Sequence, residues 1–208
     1  MSLSRPTAPR IKKLSVATGI LLGLLCFSAA PALAGTPKVA AVCEGQTFSQ
    51  SFAAYKDQNA YTLVPGSEFN EPSAGWELSN GAQIVQTLRP DGSTASVLDM
   101  PSGAVAVSPS VCVTLQYPTA RTWVRNVKGG EGIYVAVAYA NTNTELKPKN
   151  VGQVHGKQNA WTLSDPVNVQ PQSAGSVEET REVRFVFSSG GKTSDFQLYG
   201  FYVDPRMR

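Results

Sequence analysis

Beyond residue 41 the chain is built of short apolar or β-branched runs, broken roughly every eight to twelve residues by Gly, Pro, Asn, Asp and Ser, the punctuation of strands and turns. No long segment repeats at the helical period. Residues 133–139 place Ile133, Val135, Val137 and Tyr139 on one face of a strand and Tyr134 with two alanines on the other. Residues 182–187 alternate cleanly, with Val183, Phe185 and Phe187 inward and Glu182, Arg184 and Val186 outward. Residues 196–203 are apolar on both faces and predict a central strand. In residues 121–125, Arg121, Trp123 and Arg125 share one face while Val124 takes the other. Weaker strand patterns cover 47–52, 60–63, 76–78, 83–87, 96–98, 105–107 and 111–115.

About ten short strands without helices predict an all-β chain, an antiparallel β-sandwich. Strands near both ends, tied by a distant disulfide, favour a jelly roll over an up-and-down barrel. The bridge is expected between Cys43 and Cys112, closing a loop of roughly 70 residues and stabilising by about 4 kcal/mol if unstrained. Two distant thiols and the lone His155 make no closed tetrahedral metal set.

The first 34 residues predict a compartment. Arg5, Arg10, Lys12 and Lys13 precede an apolar run over 14–27, and Ala32-Leu33-Ala34 closes the segment. This reads as a secretory signal peptide cut after Ala34, too short in its apolar run to anchor the chain in a membrane. A short mobile lead-in over 35–41 and a single domain over 42–208 would follow. The leader holds four of the 18 basic residues and none of the 15 acids, so the formal charge falls from +3 to −1 on cleavage. No basic patch then remains for nucleic acid or an anionic membrane surface.

One hexapeptide is echoed: 58–63, Gln-Asn-Ala-Tyr-Thr-Leu, returns at 158–163 with Trp161 in the place of Tyr61. Similar strand entries account for it, with two strand ends flanking one groove as the functional alternative. A Ser-His-Asp enzyme would have to use His155, and no Gly-x-Ser-x-Gly turn is present. No carboxylate pair suited to glycoside hydrolysis stands out.

The run Val151-Gly152-Gln153-Val154-His155-Gly156-Lys157 resembles the Gln-[Ile/Val]-His motif of jelly-roll alginate lyases. That resemblance implies Gln153, His155 and Arg121 as a catalytic set acting on a uronate. The chain departs from it in two places: Trp123 stands at the family's glutamate position, and 196–204 carries no lysine.

A broader resemblance spans most of the chain. Tyr61-x-Leu63-Val64-Pro65-Gly66 with Phe69, then Trp76-x-Leu78, Gly81-Ala82-x-Ile84-Val85, Ser108-Pro109 before Cys112-Val113, and the ending Phe201-Tyr202-Val203-Asp204-Pro205 follow in order. Together they are similar to galactose-binding-like jelly rolls of secreted bacterial proteins, akin to carbohydrate-binding modules. Such modules hold a structural calcium with acids that this chain replaces by Asn70 and by Tyr199-Gly200. No cofactor is therefore expected, and Glu71 and Asp204 are the acids left to hold calcium if it binds.

Sugar rings stack their axial hydrogens on electron-rich aromatic faces. Trp123 between Arg121 and Arg125 suits that role, with Tyr134 lining the same groove, while Trp76 and Trp161 are expected in the core. Arg121 and Arg125 should keep their face wet, since burying them without partners is costly. These readings converge on a secreted, non-catalytic binding domain for carbohydrate or a cell-wall polymer. The alternatives are a polysaccharide lyase of the alginate type and a structural or interaction domain of the cell surface.

Overall fold

The computed structural model describes residues 46–71, 75–114, 119–139, 148–169 and 180–204. The expected leader with its Ala34 cleavage point, the lead-in and Cys43 lie outside these residues. Cys112 is described and is buried.

Among the described residues, fourteen strands form two sheets. The larger holds β1 (Thr62–Leu63), β3 (Gln83–Leu88), β4 (Thr94–Pro101), β7 (Thr119–Lys128), β10 (Lys157–Gln158), β11 (Trp161–Leu163), β12 (Val167–Asn168) and β14 (Asp195–Asp204). The smaller holds β2 (Glu77–Ser79), β5 (Val105–Val107), β6 (Val111–Thr114), β8 (Ile133–Tyr139), β9 (Lys149–Val154) and β13 (Thr180–Ser189). In the larger sheet the order runs β10-β7-β14-β4-β3, with β11 and β12 on the outer edge of β7 and β1 beside β14. In the smaller it runs β2-β5-β13-β8-β9, with β6 also on β13. Pairing is antiparallel apart from β10 on β7.

The sheets meet through their inward-facing side chains, and the result is a β-sandwich. Phe185 and Phe187 of β13 meet Phe201 of β14 edge to face, with ring centroids 4.8 and 4.9 Å apart. Val124, Val135, Val137, Val183 and Phe196 fill the same core. Trp76 packs there against Phe69 and Phe187, as the sequence predicts. So do the inward residues of β13, and β14 is indeed central. Beyond Tyr199 a bulge restores the alternation of β14 against β7, sending Phe201 inward and Tyr202 outward opposite Arg121. Gly200 sits in that bulge at φ 62°, a left-handed conformation that suits glycine.

Residues 47–52 do not form the expected strand. Only Ser49 bridges to Tyr61, and the chain then makes a 3-10 turn over Ala53–Tyr55. Phe52 rests edge-on against Tyr61 and Tyr202, at 5.0 and 5.1 Å, outside the main core. This segment covers one end of the larger sheet's outer face.

The β3–β4 hairpin covers more of that face. Pairing of β4 with β14 stops at Leu98 opposite Leu198, while the hairpin runs on to Leu88 opposite Thr94. β1 takes the vacated side of β14. Freed from the sheet, the tip bends outward. Arg89 lies over the Tyr199 ring, 4.1 Å from its centroid, and donates to the carbonyls of Glu68 and Ser96 at 2.6 and 3.1 Å. Val97, which alternates with the core residue Leu98, is fully buried yet outside the main core.

Candidate functional site

Between the two coverings lies a cleft of about 750 Å³ on the outer face, over β7 and β11. Its floor follows from strand register. Trp123 lies opposite Leu163 and Tyr199, and Arg125 opposite Trp161 and Gln197. Trp123 and Trp161 are therefore diagonal neighbours on one face, within reach of one ligand. Tyr55 forms one wall and Pro90 of the hairpin tip another, and His155, Gly156, Lys157 and Asp165 complete the rim. Gly156 is required where the chain crosses β7, since a Cβ there would lie 2.6 Å from the Asn126 nitrogen.

The aromatic rings are held by specific partners. Tyr55 meets Trp123 edge to face at 5.3 Å, an arrangement worth about 0.5–1.5 kcal/mol beyond the area it buries. The Trp161 indole N–H donates to the Leu88 carbonyl. Of the large hydrophobic residues left exposed among the described residues, Tyr55 at 55% and Leu88 at 57% both stand at this site.

Arg121 lies at one end of the cleft. Its NH1 donates to Asp57 Oδ2 at 2.8 Å, and its Nε and NH2 donate to the Ser164 carbonyl at 3.0 and 2.8 Å. The Tyr61 hydroxyl donates to the same Asp57 oxygen at 2.8 Å. Burial alone would raise the Asp57 carboxyl. The hydrogen bonds from Arg121, Tyr61 and the Asn59 N–H outweigh it and hold that carboxyl below the ordinary carboxylate range. With Arg121 held by Asp57, and one lysine, Lys157, against one aspartate, Asp165, on the rim, the cleft carries no strong net charge.

Under the hairpin the outer face is polar. Gln83, Asp99, Gln197, Arg125 and Trp161 follow one another in register across the sheet. Gln83 and Gln197 each donate a side-chain N–H to one oxygen of Asp99, at 3.2 and 3.1 Å. Arg125 reaches over to Thr87 Oγ1 at 3.5 Å. Beside them burial raises the Asp195 carboxyl above its ordinary value and the Asp99 charge adds to the shift, while Lys128 opposes both.

The structure brings Arg121, Trp123 and Arg125 to one face, as their alternation predicts, but several expectations need correction. The face is not wet at the arginines, because Arg121 is largely buried against Asp57 and Arg125 is half-buried across the groove. Tyr134 does not line the same groove. It projects from β8 of the other sheet, opposite Ser188 and Gln153, at 39% exposure. Trp161 is not a core residue, because β11 pairs along the outer edge of β7 and turns the ring into the cleft. The echo does not supply a second ring, since Tyr61 is buried under Phe52.

His155 and Arg121 line the cleft, whereas Gln153 pairs with Tyr134 on the smaller sheet and is not among the lining residues. Among the described residues no three His, Cys, Asp or Glu side chains converge on a metal position. Glu71 is exposed, while Asp204 is buried at the end of β14.

No family model matches the chain, and no curated protein matches it. Solved structures do. The Clostridium thermocellum xylanase 10B structure, comprising CBM22-1 and GH10 modules complexed with xylohexaose, aligns at a TM-score of 0.50 and 13% identity, covering 70% of this chain and 28% of that one. The CBM22-1 xylan-binding domain of Paenibacillus barcinonensis Xyn10C aligns at 0.46 and 13%, covering 68% and 93%. A CBM61 structure in complex with β-1,4-galactotriose aligns at 0.41 and 12%, covering 68% and 95%. The likeness is one of fold, a β-sandwich of the carbohydrate-binding-module type.

Proposed function

We propose that this chain is a secreted, non-catalytic domain that binds a carbohydrate or cell-wall polymer in the cleft over β7 and β11. One observation carries the reading: two tryptophans from adjacent strands, Trp123 and Trp161, face the same cleft. Aromatic faces take the apolar side of a pyranose, and the polar rim of His155, Lys157 and Asp165 is placed to meet its hydroxyls. A concave site with aromatic walls and a few polar groups has the composition of a small-molecule pocket. The fold shared with a xylanase structure complexed with xylohexaose supports starting the search among neutral polysaccharides.

The separation of Gln153 from the cleft weighs against the lyase alternative, since the motif that suggests it needs both Gln153 and His155 at the substrate. A glycan array probed with the purified domain tests the reading. Saturable binding to at least one glycan, weakened by Trp161→Ala in a folded variant, is expected. Failure of the folded domain to bind any glycan would favour the structural or interaction alternative.

A further inference from the structure

We infer that the cleft takes the end of an uncharged glycan chain and excludes the middle of a long one. This rests on the binding reading above and adds to it which part of the polymer is recognised. A bare outer face on the larger sheet would offer a path across its strands, but here that path is blocked on two sides.

The first block stands at the Arg121 end. The segment before β1 folds over it, with Asp57 bonded to Arg121, Phe52 against Tyr202, and Tyr55 against Trp123. The second stands on the side facing β14 and β4. There the β3–β4 tip supplies Pro90 as a wall, and Arg89 is clamped over Tyr199. The Trp161–Leu88 hydrogen bond completes that barrier, joining β11 to β3 above the intervening strands.

The remaining strip follows β7 from Arg121 to Arg125, a distance of ~13 Å along a strand. Its unblocked sides are the rim of His155 and Lys157, both exposed, and the adjoining edge of β11 at Asp165, each facing one of the two blocks. A chain entering past that rim crosses Trp161, reaches Trp123 and stops against Tyr55 and the Arg121–Asp57 pair. The charges favour an uncharged ligand, because Asp57 already occupies Arg121 and the rim carries one lysine, Lys157, against one aspartate, Asp165. An acidic polymer would find no unpaired arginine at the closed end.

Two measurements on the whole mature domain test this. In calorimetric titrations with β-1,4-linked xylose and galactose oligosaccharides of two to six sugars, affinity should change by less than about twofold beyond three sugars. A further occupied subsite would tighten binding several-fold to tenfold, tenfold being about 1.4 kcal/mol. In the second, equal masses of the xylan before and after partial endo-hydrolysis are compared, and binding capacity per gram should rise in proportion to the number of chain ends. Affinity that climbs steadily to six sugars, or capacity per gram that stays constant, would overturn chain-end recognition while leaving glycan binding intact. Absence of binding to every oligosaccharide and polymer in the series would overturn both.

Discussion

The indole N–H of Trp161 donates to the Leu88 carbonyl, although β7, β14 and β4 separate their strands in the sheet. The contact exists because the β3–β4 hairpin abandons β14 after Leu98 and bends over the outer face. One bond thus links a cleft aromatic to the wall that limits the cleft.

Trp161→Phe keeps an aromatic face but removes the donor. A hydrogen bond contributes about 0.5–1.5 kcal/mol net, so amide exchange at residues 88–94 should quicken by roughly two- to tenfold, with global stability nearly unchanged. Hydrogen exchange read by mass spectrometry checks this. Unchanged protection of the tip would mean that Arg89 alone holds it.

Asp57→Asn should destabilise the domain by about 1.5–3 kcal/mol, the range for hydrogen bonds to a charged group. Because the folded carboxyl is held below its ordinary value of 3.8, its contribution is present above that value and lost as pH falls through the folded pKa. Melting curves from pH 6 to pH 2 should therefore show the gap between wild type and variant closing towards the acid end.

Asp195→Asn should have the opposite sign. Burial and Asp99 raise this carboxyl in the folded state above 3.8, so the folded protein binds the proton more tightly than the unfolded chain. The favourable protonated form is fully present below the unfolded value, and its contribution is lost as pH rises through the folded one. The variant should consequently gain stability over wild type at pH 7 and lose that advantage in acid. A variant less stable than wild type at pH 7 would show that Lys128 outweighs Asp99.

Much of the scaffold is legible in alternation. The inward triad Val183, Phe185 and Phe187 and the shared face of Arg121, Trp123 and Arg125 follow from a period of two. Alternation fixes the side of a strand and leaves open which sheet the strand joins, which is why Tyr134 reads as a neighbour of Trp123 and stands on the other sheet. It also leaves open what will cover a face. Asp57 precedes Arg121 by 64 positions, and no local pattern announces that the two will pair. Trp161 sits on a strand of three residues behind a tight turn, too short for any periodicity. Its one signal is a tryptophan close behind the polar pair Gln158-Asn159, which suits a ligand-facing edge better than a core.

The disulfide expected between Cys43 and Cys112 would staple the segment ahead of β1 to β6. Cys112→Ala should cost about 2–5 kcal/mol, as loss of a native bridge does in small secreted domains. Non-reducing peptide mapping of exported protein should recover the linked pair, on a chain beginning near Gly35. Two alkylatable thiols in that protein would refute the bridge.

The most direct test of the binding cleft is the affinity of Trp123→Ala for whichever neutral oligosaccharide the wild-type domain binds, measured beside its melting temperature. Trp123 is half-buried on the outer face with Tyr55 as its ring partner, so truncation should leave the domain folded. Removing an aromatic anchor at the centre of a site typically costs 2 kcal/mol or more, about a thirtyfold loss of affinity. A folded variant that binds as tightly as wild type would contradict the account and move the ligand away from β7 and β11.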